Sequence, residues 1–183
     1  MLSGRYRSSL QPRKNVPQLL RAYASFLSRF ENPNNAPLCV IAGGEGVNYD
    51  TEIDTVIIQE NLSDYVLKTG HVSEAEKYRL YAHAELFVSL SLFEGFGIPF
   101  VEAMSFGIPV LGSNRSCLPE IIGEAGDIVD PEDTEAVANK LFWFCTDSKL
   151  HNQYACQGME RAQKFTWERM AQETQAVYEE FDS

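Results

Sequence analysis

The chain has 183 residues, 44% of them hydrophobic and 22% charged, with a formal net charge of −11. That length suits one domain with a proper core. A field of that sign excludes nonspecific attraction to nucleic acid or anionic membrane, although a local basic pocket can still hold a phosphate.

Residues 6–10 (YRSSL) form a weak strand candidate. In RKNVPQLLRAYASFLSRF (13–30), Val16, Leu19, Leu20, Tyr23, Leu27 and Phe30 fall on one helical face. NPNNAP (32–37) is turn chemistry. LCVIAGG (38–44) then reads as a short parallel strand buried on both faces. A helix over 50–61 leads to a strand at 65–70. Ser73 and Glu76 make a capping box that opens a helix over 74–84. ELFVSLS (85–91) is a strand, followed by a turn into a helix ending near residue 106. IPVLGS (108–113) is a strand, CLPEIIG (117–123) a short helix, and GDIVD (126–130) a last strand. Asp130-Pro131 reads as a cap with proline at the first helical position, starting a helix to about 146. Helices over 148–163 and 166–181 finish the chain. This alternation specifies an α/β fold. It is a doubly wound, Rossmann-like parallel sheet of about six strands with helices on both faces, and ligands bind outside the carboxyl ends of such strands.

Cys39, Cys117, Cys145 and Cys156 have neither CxxC spacing nor a partnering histidine pattern, so reduced thiols are expected and a metal is not. No run approaches the roughly eighteen apolar residues of a membrane span, and the first residues lack the apolar core of a signal peptide. A cytoplasmic location is the expectation.

The stretch FEGFGIPFVE (93–102) sets two acids around a glycine-rich turn. A helix whose first turn holds Gly95, Gly97 and Pro99 exposes the N–H groups of Gly95, Phe96, Gly97 and Ile98 as an anion site. Glu94 beside that site would repel phosphate, so it suits neighbouring hydroxyls such as those of a sugar. Glu102 lies just over two helical turns on, roughly 12 Å along the axis. A ligand touching both is long, hydroxyl-rich at each end and anionic in the middle, as a sugar–diphosphate–ribose is. Alternatively, Glu94 caps the helix and Glu102 is a solvated acid on its polar face.

The segment HVSEAEKYRLYAHAELFVSLSLFEGFGIPFVEAMSFGIPVLGSNRSCLPEIIGEAGDIVDPED resembles the C-terminal, donor-binding half of retaining group 1 glycosyltransferases of GT-B architecture. The E-x7-E motif is Glu94 to Glu102, and PRKN (12–15), IAGG (41–44) and FTW (165–167) fall where the family has related segments. The resemblance runs from about residue 8 to the end of the chain. It implies that a sugar moves from a nucleoside-diphosphate sugar to an acceptor hydroxyl, with no cofactor or metal and with Glu94 as the catalytic-site acid facing the donor sugar. Glu102 would hold the ribose hydroxyls, the amides of Gly95, Phe96, Gly97 and Ile98 would meet the sugar and diphosphate, and Lys14 would neutralise the diphosphate. An arginine common in the family is replaced by Ser8 or Ser9, so Arg13 would substitute. Val72 would border the base. His71, His83 and His151 match no catalytic position.

The resemblance also implies that residues 1–183 are one donor domain of a two-domain hexosyltransferase-type enzyme, nearly inert without its acceptor half. Residues 166–183 would pack on that acceptor domain or support a homodimer. The alternatives are one subunit of a split glycosyltransferase, or a non-catalytic nucleotide-sugar binding module.

Overall fold

The computed structural model describes residues 10–46 and 48–181, which contain five short strands and eight α-helices. In chain order these are α1 (Val16–Leu27), β1 (Cys39–Ala42), α2 (Glu52–Gln59), β2 (Val66–Gly70), α3 (Glu74–His83) and β3 (Phe87–Ser89). α4 (Ile98–Ser105), β4 (Val110–Ser113), α5 (Leu118–Ile122), β5 (Asp127–Val129), α6 (Thr134–Thr146), α7 (Ser148–Ala162) and α8 (Trp167–Phe181) follow.

All pairing between the described strands is parallel, as the alternation requires. Among the described residues the strands form two groups, β1–β2 and β3–β4–β5, and not one continuous sheet of about six. The sixth candidate, 6–10, falls largely outside the described residues. Leu10 is not in a strand, but its N–H reaches Gly44 O at 3.4 Å and its carbonyl accepts from Asp50 N at 2.8 Å. The strand expected over 85–91 narrows to three residues because only Phe87, Val88 and Ser89 pair with β4. On the partner side Pro109 accepts from Phe87 N at 3.0 Å but has no N–H to extend the ladder.

Helices cover both faces. Successive strand residues point to opposite sides, and β4 shows it: Leu111 joins a core built on α1, α2 and α6, while Val110 joins one built on α3, α4 and α5. α1 packs on α6 and α2 through Leu20, Phe26 and Leu27, and α4 packs on α7 and α5. The Ser73–Glu76 capping box opens α3 as its spacing predicts. The start of α6 differs. Its cap is Asp133, which accepts from Ala136 N at 2.9 Å, and not Asp130. Asp130 instead accepts from Glu132 N and closes a turn that Pro131 begins.

Of the described helices, α8 stands apart. It buries no residue, with Trp167 73% and Phe181 85% exposed. Among the described residues no helix is long and apolar enough to cross a membrane.

Candidate functional site

The short turn Pro12–Lys14 ahead of α1 is docked on the segment after β3, because Leu92 N donates to Arg13 O at 2.8 Å. Asn15, at φ 55°, then swings the chain into α1. This brings both predicted cations to Glu94. Lys14 Nζ lies 2.5 Å from Glu94 Oε1. Arg13 Nη1 lies 3.1 Å from Glu94 Oε2 and donates to Phe93 O at 2.8 Å. Ser8 and Ser9 lie outside the described residues.

Burial pushes the Glu94 carboxyl up. Hydrogen bonds from Lys14 and Ser91, the Lys14 charge and the Arg13 guanidinium outweigh it and hold the group below the ordinary carboxylate range. The Glu94 backbone is pinned as well. Ser116 Oγ donates to Glu94 O at 2.8 Å and Cys117 Sγ approaches the same oxygen at 3.4 Å.

Helix α4 does not start where the sequence placed it. Gly95 and Phe96 precede the helix, Gly97 is its N-cap at φ +91°, and Pro99 sits at its second position. The 12 Å spacing between the two acids along one axis therefore does not hold, since only Glu102 is helical. The glycine is required here on two counts. Its φ lies where side chains are strained, and a Cβ would come within 2.9 Å of a Leu118 methyl. Gly95, Phe96 and Ile98 are exposed, while Gly97 is buried.

Lys14, Val72, Glu94 and Gly97 line one cavity of about 690 Å³, which continues between β1 and β3 past Val40 and Val88. The stretch past Val40 and Val88 is mostly apolar and unsuited to a diphosphate. The charged part at Lys14 and Glu94 is the one that fits an anion and its hydroxyl neighbours. Glu102 does not itself line this cavity, but its two partners do: Lys77 Nζ is 2.6 Å from its Oε1 and Tyr81 OH 3.1 Å from its Oε2.

Phe96 meets Phe165 edge-on at 5.7 Å, so the glycine-rich turn touches the FTW segment. Two histidines reach main-chain oxygens, His83 that of Arg79 and His151 that of Glu85. His71 is exposed and packs over Gly44.

Sequence reasoning missed Lys77, Tyr81, Ser116 and Cys117. For the first two a signal existed, because they are four apart on α3 and share a helical face. Ser116 carries none in sequence. It is recognisable only by its φ of +57° and its bond to Glu94.

A family model described as glycosyl transferases group 1 matches residues 6–161. The chain belongs to that family. Among its glycosyltransferase relatives, the O-antigen chain mannosyltransferase B of Escherichia coli is 32% identical over 174 residues, covering 94% of this chain and 44% of that protein. The sucrose-phosphate synthase from Thermosynechococcus elongatus superposes with a TM-score of 0.81 at 25% identity, over 95% of this chain and 44% of that one. The C-terminal domain of a glycosyl transferase group 1 family protein from Francisella tularensis superposes with a TM-score of 0.73 at 24% identity, over 85% of this chain and 81% of that one. The fold is thus that of a GT-B C-terminal domain. The chain spans less than half the length of the E. coli mannosyltransferase.

Proposed function

We propose that this group 1 glycosyltransferase domain binds the donor of a retaining sugar transfer, from a nucleoside-diphosphate sugar to an acceptor hydroxyl held by a second domain. The observation that carries the proposal is the convergence of Lys14 and Arg13 on Glu94, beside the amino end of α4. Two cations and the amino end of a helix suit a diphosphate. Glu94 then faces the donor sugar, Glu102 the ribose and Val72 the base. Once the diphosphate takes Lys14 and Arg13, the Glu94 carboxylate is released toward the sugar hydroxyls. As the bond to the sugar breaks, charge grows on the diphosphate. Pre-aimed cations and amides stabilise that charge more than the ground state. The name of the E. coli relative makes a mannosyl group the first donor sugar to test.

Positioning an acceptor contributes on the order of 7–11 kcal/mol to lowering a barrier, so this chain alone should turn over nearly nothing. The experiment is calorimetry with uridine, guanosine and adenosine diphosphates and their sugars. A dissociation constant between about 1 μM and 1 mM is expected from a few charge-assisted bonds of about 1.5–3 kcal/mol each. Absence of heat at several times the upper concentration overturns the reading.

A second reading, one subunit of a split enzyme or a homodimer, is favoured by the exposed face of α8, where Trp167, Met170, Val177, Tyr178 and Phe181 are all open to solvent. An acceptor domain would cover that face. Scattering that reports a strict monomer at high concentration counts against the homodimer.

A further inference from the structure

Glu102 is gripped by two donors from one neighbouring helix. Lys77 and Tyr81 are a turn apart on α3, so a single helix face supplies an ammonium to Oε1 and a phenol to Oε2. Lys77 is 6% exposed and Tyr81 8%, whereas the Glu102 side chain keeps 24% of its surface open. Lysine is rarely this buried unless paired.

A carboxylate offers about four lone-pair directions over its two oxygens. With one direction on each oxygen already taken, one on each is left, side by side at the fixed spacing of the group. Two parallel acceptors match the two hydroxyls of a vicinal diol. We infer that Lys77, assisted by Tyr81, is a positioning residue that locks the Glu102 carboxylate to receive a ribose 2′,3′-diol, and thereby makes the site discriminate ribonucleotides from 2′-deoxyribonucleotides. This rests on the donor-binding reading above and adds to it the residue that sets sugar choice in the nucleotide. Charge points the same way. In a chain of net charge −11, an unpaired Glu102 would repel a diphosphate, and Lys77 presents it as a neutral pair.

The test is calorimetry of the chain with GDP, UDP and ADP, each beside its 2′-deoxy counterpart. The wild-type chain should prefer the ribose form by about tenfold, the value of one charge-assisted hydrogen bond. Lys77→Leu should weaken both and bring their ratio to within about twofold of unity, since a freed carboxylate no longer holds the bidentate geometry. Lys77→Arg should keep a clear ribose preference, and in a Glu102→Gln background Lys77→Leu should leave the ratio where Glu102→Gln put it. A merely structural lysine would lower the melting temperature and leave the ratio alone. A wild-type chain that binds without ribose preference, or a Lys77→Leu chain with the wild-type ratio, overturns the inference and leaves donor binding standing. No heat with any nucleotide overturns donor binding itself, and this inference with it. If Lys77→Leu fails to fold, Tyr81→Phe removes only the hydroxyl, and an unchanged ratio there is equally decisive against it.

Discussion

Lys14 and Glu94 are 80 positions apart in the chain and meet at 2.5 Å. The second acid of the motif repeats the arrangement, with Glu102 at 2.6 Å from Lys77. Each glutamate thus comes with a cation of its own. An acidic protein can in this way line a phosphate site with carboxylates, because the pairs carry little net field of their own.

Lys14→Met should raise the dissociation constant for a nucleoside diphosphate about 10- to 100-fold, the effect of one lost charge-assisted bond. The loss should be much smaller for the corresponding nucleoside, which has no phosphate to miss. Calorimetry with both ligands measures it, and equal losses would remove Lys14 from the phosphate site.

Glu94 predicts an acid-side instability. Its folded-state pKa lies below the ordinary 4.5, so the ionised carboxylate stabilises the fold above that value. The contribution disappears as pH falls through the folded pKa. Glu94→Gln should therefore melt below wild type at pH 7, and the two curves should converge as the pH falls through the lowered folded-state pKa. A gap that does not change with pH would contradict the Lys14–Glu94 pairing.

Gly97→Ala should cost about 1–3 kcal/mol, from a strained φ and a clash with Leu118. Gly95→Ala meets nothing within 4 Å and should be near neutral for stability. Denaturant melts of the two variants separate backbone strain from a general intolerance of the loop.

A chain ending after Thr166 should melt within about 2 °C of the full chain, because α8 buries none of its residues here. The same deletion should abolish any dimer seen by scattering. A large fall in melting temperature would show that α8 is part of this domain's core.

Much of this was legible. Apolar periodicity and the capping box located most helices, and short apolar runs located all five strands. The turn at 93–97 announced itself through its glycines. What failed were choices between equivalent local signals. Asp130 and Asp133 are both good caps, and only packing decides that the chain spends three residues on a turn before α6 begins. Glycine and proline near Glu94 read as a helix start, but Gly97 at φ +91° postpones the helix to Ile98. The Lys77–Glu102 pair joins two helices 25 positions apart. No spacing rule reaches that far. Likewise, an amphipathic period in α8 shows that a face exists and not what lies against it.

The edge-on contact of Phe96 and Phe165 fixes the root of α8. A fifteen-residue rod, roughly 22 Å long, begins two residues beyond that ring. Leverage follows from those dimensions. Wherever the far tip is anchored, a swing of several ångströms there is geared down to a small nudge of the aromatic immediately before Gly97, so whatever covers α8 shares one pivot with the glycine-rich turn.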